Sequence, residues 1–405
     1  MCSPAKGLSD KPAIFLGVMF FFNLQVQVVM RHKRLLLLTI RHPDTNGKGD
    51  TLILRHRINA FVQEGFFCAV VIVRPSVRFK STLTTIDCGD GPVQYFELQV
   101  GLFDILLTTL ILPVYAPIQV RIFSGFFAKR LLERFCKANK LSIGLFYTLR
   151  TSFYQGIISK QVLEAIDSLS VNFFSLSSKK KWLVKIGFLI EAVLLKLWEI
   201  TKLKKYDLVT LVNANEVGRI NAKKVMQIAN GVEKCSADKL DKRNFTVCLS
   251  GNMQYIPNIE AFSVFCKVAE IVIEKRPSIK FRVIGRNADT LPRFNLVTVC
   301  SNPEDMYLEL GRCTISLCPI SSGSGMQNKI LEGIATRNFV IASDFALEAF
   351  DFAVVSECIR ANTITEYAEE IINLYDGNTC RFYHDNFLND LSWRNGAKLV
   401  LENLN

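Results

Sequence analysis

The chain is poor in the residues that build metal and redox sites. It holds only four histidines, His32, His42, His56 and His384, and its twelve cysteines form no C-x-x-C pair, the closest being Cys313 and Cys318. That pattern excludes the ordinary zinc frameworks. Cysteines such as Cys248 and Cys300 sit in apolar runs and read as reduced core residues of a cytosolic protein. No nucleic-acid-binding motif, internal repeat or low-complexity tract stands out. An unbroken apolar run of spanning length is missing too, because Asn23, Gln25 and Gln27 interrupt Ala13 to Met30. That segment lacks a small-x-small cleavage site and is followed directly by RHKR, so a cleaved secretory signal is rejected. Residues 1–29 read either as a membrane-contacting extension or as a stretch ahead of a functional start at Met30.

What is abundant is apolar and basic. Hydrophobic residues make up 49% of 405, enough for two or three domains with their own cores, and the mean hydropathy is +0.22. Residues 1–205 carry 28 Lys and Arg against 13 Asp and Glu, whereas the remainder carries 21 against 24. The basic residues of the first half lie beside Leu, Ile and Phe. That fits an anionic inner-leaflet membrane surface better than nucleic acid. The expected location is cytoplasmic, peripheral to the inner membrane.

Apolar runs of strand length alternate with helical patterns, which predicts an α/β fold with parallel sheets. Arg34 to Ile40 and Ala69 to Val73 are expected strands, with a helix from Thr51 to Glu64. Gly47, Lys48, Gly49 and Asp50 would then lie at the mouth of a cleft, beyond a strand's carboxyl end, or form an ordinary strand-to-helix turn. Leu102 to Val120 is greasy but broken by Asp104, Pro113 and Pro117, and reads as irregular surface. Gly125 to Lys140 shows helical periodicity. Ser178 to Lys205 is long, Pro-free and flanked by lysines, either an amphipathic core helix with a basic rim or an interfacial one. Further strands are expected at Thr246 to Ser250, Lys280 to Gly285, Thr298 to Cys300 and Thr314 to Leu317. Helices are expected at Ile259 to Lys275, Pro303 to Leu310, Met326 to Ala335 and Thr365 to Tyr375. The expected domains are 30–228, 229–392 and a carboxy-terminal helix at 393–405.

Residues 318–343, CPISSGSGMQNKILEGIATRNFVIAS, are the most informative segment. A short strand runs into Ser322-Gly323-Ser324-Gly325, a helix starts near Met326, and a second strand follows. A glycine-rich turn feeding a helix N-terminus offers unpaired N–H groups and the positive dipole end to an anion. Lys329 in the first turn can add charge to a phosphate, and Glu332, one turn up the same face, can reach ribose hydroxyls. The plainer reading is a turn whose glycines only redirect the chain.

This segment resembles the donor-nucleotide motif of GT-B glycosyltransferases, specifically glycosyltransferase family 4. Other stretches resemble one branch of sugar transferases in the same order: LPVYAPIQVRIFS, LRTSFYQ, VLEAIDSLS, ANGVE, LSGNMQYIPNIEA and FRVIGR. The likeness runs from about Met30 to Trp393. It implies two Rossmann-like domains facing a cleft, a nucleotide-sugar donor, and a lipid-linked or glycan acceptor. It further implies retention of anomeric configuration and no metal or other cofactor. On this resemblance Lys329, Glu332 and Asp167 would be catalytic. Gly251, Asn252, Arg286, Ser324, Gly325, Met326, Gln327 and Asn328 would line the donor, with Gly47 to Asp50 and Arg150 on the acceptor side. From the residues alone, Asp167 is as good a helix N-cap as a ligand contact. The pattern departs where the family carries a first glutamate, here Ser324, and where it carries Gly and Pro, here Arg337-Asn338-Phe339. A nucleotide-sugar epimerase and an inactive membrane scaffold are the rival readings.

Overall fold

The computed structural model describes residues 33–43, 49–87, 91–178, 181–233, 235, 244–323, 325–377 and 385–404, with backbone alone at 49–50 and 385–386. Contacts divide the chain into residues 1–33 and 34–405; all described residues but Lys33 belong to the second unit. The expected 1–29 extension lies outside the described residues.

In chain order the amino-terminal elements are β1 (Lys33–Thr39), α1 (Gly49–Gln63), β2 (Phe66–Pro75), β3 (Thr82–Asp87), β4 (Val93–Val100), α2 (Leu102–Ile111) and α3 (Phe126–Ala138). They continue as β5 (Ile143–Tyr147), β6 (Lys160–Ile166), α4 (Leu169–Ser177), α5 (Trp182–Lys202), β7 (Leu208–Leu211) and β8 (Val225–Gln227). The eight strands form one sheet in the order β3-β4-β2-β1-β5-β6-β7-β8. The pairs β2–β4, β1–β5, β5–β6, β6–β7 and β7–β8 are parallel, as the sequence predicts, and one edge pair, β3–β4, is antiparallel. Leu35 to Leu38 are buried on both faces of β1 and pair in register with Ile143 to Phe146. In α1 the buried Thr51, Leu54, Ile58 and Phe61 recur at helical spacing and cover one side of this sheet.

The carboxy-terminal elements are β9 (Thr246–Ser250), α6 (Ile256–Lys275), β10 (Lys280–Gly285), β11 (Val297–Ser301), β12 (Ile315–Cys318), α7 (Asn328–Ala335), β13 (Phe339–Ala342), β14 (Cys358–Arg360) and α8 (Ile364–Asp376). Their sheet runs β11-β10-β9-β12-β13-β14, all parallel. The last helix, α9 (Trp393–Glu402), returns to the first domain, where Ala397 and Val400 share a core with Leu35, Leu37 and Leu54. Val232 N donates to Leu391 O at 2.9 Å as the two crossing segments meet.

Two expectations are corrected. Leu102 to Val120 is not irregular throughout: α2 forms first, and Leu112 turns extended (ψ 144°) because Pro113 disfavours helix at the preceding residue. The long helix α5 departs from the core-helix alternative, in which its apolar residues would face inward. Its inner face holds Glu191, Ala192, Leu195, Trp198 and Glu199, while Leu183, Ile186, Ile190, Val193, Leu197 and Ile200 face outward. The glutamates go inward because they have donors to satisfy there. Glu191 accepts from Ile118 N and Gln119 N at 3.1 and 2.8 Å.

Candidate functional site

In the second sheet the strand order reverses at β9, between β10 and β12, and such a reversal opens a crevice beyond the strand ends. β10 ends at Gly285 with φ +146°, and a Cβ there would collide with the Gly251 carbonyl oxygen, so only glycine lets the two turns pack. Arg286 follows with an exposed guanidinium, and its carbonyl accepts from Met253 N at 2.9 Å. Asn252 shapes the same turn: its Oδ1 accepts from Gln254 N at 3.1 Å and its carbonyl from Asn258 Nδ2 at 2.8 Å.

β12 leads into the glycine loop on the other side of this crevice. Gly323 and Gly325 take φ +119° and +82°, and Gln327 is non-helical, so α7 begins at Asn328 rather than near Met326. Lys329 therefore sits in the first turn, as expected, but it is buried, with Nζ donating to Asn258 Oδ1 at 2.5 Å. Burial holds this ammonium below its usual range, opposed by Cys318 and Glu332. Burial likewise pushes the Glu332 carboxyl up, against the pull of Lys329. Asn328 Oδ1 accepts from Asn230 Nδ2 at 2.7 Å, tying the helix start to the crossover segment.

In the first sheet the order reverses between β1 and β5. Thr39, Arg41, Thr148 and Arg150 meet at those strand ends, and Arg150 Nε donates to Gln119 Oε1 at 2.9 Å. One strand further, β6 ends with a register shift at Ile166 (φ 65°), which aims Asp167 out of the sheet. Asp167 is not the N-cap of α4; Ser168 is, its Oγ accepting from Val171 N at 3.5 Å. Ser168 is fixed in turn by Glu216, which accepts from its N–H at 2.7 Å, and by Glu199, which accepts from Ser168 Oγ at 3.1 Å and Ser170 Oγ at 2.7 Å. Asp167 is left facing the other domain: a Cβ added at Gly325 would lie 3.6 Å from its Oδ2. Burial raises its carboxyl above the ordinary value, moderated by a hydrogen bond with Asn172.

The structure thus brings Asp167 against the Gly325 loop and sets Lys329 and Glu332 on the helix behind that loop. Met326 and Gln327 lie in the loop, and Gly251, Asn252 and Arg286 lie at the adjoining strand ends. Gly47, Lys48 and Ser324 lie outside the described residues. Gly49 and Asp50 open α1, and only their backbone is described. Asn258 was missed as a partner of Lys329: it stands in the YIPN stretch, but nothing local signals a contact with a lysine so distant in sequence. Nothing local to Glu199, buried in the last turn of α5, signals that it holds the serines beside Asp167. Among the described residues no group of three or more His, Cys, Asp and Glu is arranged to hold a metal ion.

Residues 244–377 match the family described as Glycosyl transferases group 1. No curated protein matches the sequence closely enough to count as a relative. Among solved structures, the chain is similar to a UDP-forming α,α-trehalose-phosphate synthase from Burkholderia xenovorans in complex with glucose-6-phosphate. That match has TM-score 0.58 and 11% identity over 92% of this chain and 99% of the other. It is similar to Anabaena HepE in complex with UDP, at TM-score 0.57 and 13% identity over 92% and 99%. It is also similar to a sucrose-phosphate synthase from Thermosynechococcus elongatus, at TM-score 0.54 and 12% identity over 92% and 95%. The chain has the GT-B fold, and its residues 244–377 are similar to a group 1 glycosyltransferase domain.

Proposed function

We propose that this chain is a family 4-like glycosyltransferase that moves a sugar, with retention, from a nucleotide diphosphate to a lipid-linked or polysaccharide acceptor. It would work at the cytoplasmic face of a membrane, in cell-surface glycan biosynthesis. One observation carries the reading: Asp167 of one domain stands against the Gly325 loop of the other, with Lys329 and Glu332 on the helix which that loop feeds.

The chemistry follows from that arrangement. As the bond between the sugar and the diphosphate breaks, negative charge grows on the leaving phosphate. Lys329 and the first-turn N–H groups of α7 neutralise it without a metal. Phosphate displaces Asn258 as the partner of the lysine and favours the charge that burial opposes. Glu332 takes the ribose hydroxyls, and Arg286 adds a second cation from the end of β10. Asp167, its carboxyl raised by burial, contacts the donor sugar or accepts the proton of the incoming hydroxyl. Arg150 and the strand ends of the first sheet face the acceptor. UDP is the first nucleotide to test, since HepE is a complex with UDP and the Burkholderia synthase is UDP-forming.

The test is thermal unfolding of the Met30-onward chain with UDP, GDP, ADP and CMP. A nucleotide at one hundred times its dissociation constant adds about 2.7 kcal/mol. The expected outcome is stabilisation by one of them in the wild type and in neither Lys329→Ala nor Glu332→Ala. If none stabilises the wild type, the transferase reading falls and a scaffold role replaces it.

A further inference from the structure

The amino-terminal domain carries a groove, lined apart from the residues of the transfer site, that the reaction does not use. It has a volume of about 450 Å³ and is lined by Phe79, Phe103, Phe127 and Leu131, with the exposed Lys80, Arg130 and Arg134 bordering it. Its rings form a row: Phe79 stacks on Phe103 with centroids 4.8 Å apart, and Phe103 lies 6.5 Å from Phe127. On α3, Phe127, Arg130, Leu131 and Arg134 recur at i, i+3, i+4 and i+7, so apolar and cationic side chains share one helix face. The surface continues along α2, where Leu102, Leu106 and Leu110 are exposed, Leu110 at 84%. A continuous apolar surface of this kind marks an interaction site.

Charge selects the occupant. The acidic residue in the groove, Asp104, is buried and occupied: it accepts from Ser81 Oγ at 2.7 Å, Phe127 N at 3.0 Å and Ala128 N at 2.8 Å. Among the described residues no carboxylate pairs with Lys80, Arg130 or Arg134, and the Arg130 guanidinium rests 4.4 Å from the Phe126 ring centroid. A two-fold contact of this groove with itself would bring these cations face to face. We propose that this groove docks an anionic phospholipid, one acyl chain against the four apolar side chains and its phosphate between Arg130 and Arg134. The proposal rests on the membrane-surface part of the function proposed above and gives that contact a specific seat.

Flotation of the full chain with vesicles of phosphatidylcholine, alone or mixed with phosphatidylglycerol, tests it. The wild type is expected to float with the mixed vesicles only. With two membrane-facing cations removed, Arg130→Ala/Arg134→Ala is expected to bind roughly 30-fold more weakly. Phe103→Ser/Phe127→Ser should weaken binding too, with circular-dichroism melting checking that both variants fold. Lys185→Ala/Lys196→Ala on α5 removes the same charge elsewhere and should cost less. Equal losses in the arginine and lysine pairs would mean diffuse attraction and overturn the groove. No flotation of the wild type overturns both the groove and the membrane reading. A wild type that sediments as a dimer, made monomeric by Phe103→Ser/Phe127→Ser, makes the surface an interface between copies and overturns the lipid. A chain that floats as expected but responds to no nucleotide leaves the groove standing and sinks the transferase reading.

Discussion

Single residues show what the core tolerates and what the cleft requires. Arg57 is fully buried, with Nε 2.8 Å from Glu164 Oε1 and its guanidinium over the Trp393 ring. Removing the carboxylate strands a charge, so Glu164→Ala is expected to cost about 3–5 kcal/mol, read as a lower denaturation midpoint. Asp167 behaves in the opposite sense. Its carboxyl is raised by burial above the ordinary 3.8, so the folded state holds the proton more tightly than the unfolded chain does. Its contribution to stability is complete below the ordinary value and is lost as pH rises through the raised one. Asp167→Asn should therefore match the wild type in acid, melt higher at neutral pH, and abolish transfer. A neutral-pH melting point below the wild type's would contradict that account. Asp167 was legible as a candidate because it ends an apolar run. Its N-cap alternative was settled only by the backbone, which gives the cap to the next residue, Ser168.

Elements were legible where their pattern is local. The strands Thr246–Ser250, Lys280–Gly285 and Phe339–Ala342 fall where their apolar runs lie. α7 starts two residues later than the sequence predicts, because the left-handed glycines keep the loop open through Gln327. Gly285→Ala should cost at least about 2 kcal/mol, since the new carbon meets the Gly251 carbonyl and the backbone stays strained. In α5 the sequence shows an apolar and a polar set, but not which of them faces inward. That choice depends on donors elsewhere, at Ile118, Gln119, Ser168 and Ser170. The helix makes a clear prediction for chemical denaturation. Ile190→Lys on the outer stripe should change stability by no more than about 0.5 kcal/mol, whereas Trp198→Ala on the inner face should cost about 3–5. Equal losses would mean that the stripe is not the outer face.

At the scale of the molecule, the two sheets are joined by a chain that crosses over and comes back. His56 on α1 stacks against Trp393 with ring centroids 5.0 Å apart and lies 3.4 Å from Glu233 Oε1. One aromatic of the final helix thus touches two neighbouring residues of α1, His56 and the buried Arg57, next to the crossover. Trp393→Ala is expected to lower stability by about 3 kcal/mol, read in a thermal melt. The sequence by itself determined the alternation of strands and helices, the glycine loop before Lys329 and the basic character of the first half. Those properties depend on neighbours a few residues apart, and short-range periodicity and turn chemistry record them. The placing of Asp167 against Gly325, of Lys329 on Asn258, and of one apolar stripe of α5 outward came from the tertiary fold alone. Each depends on groups brought together by chain closure across many residues, and such closure leaves no mark on the local pattern of either partner.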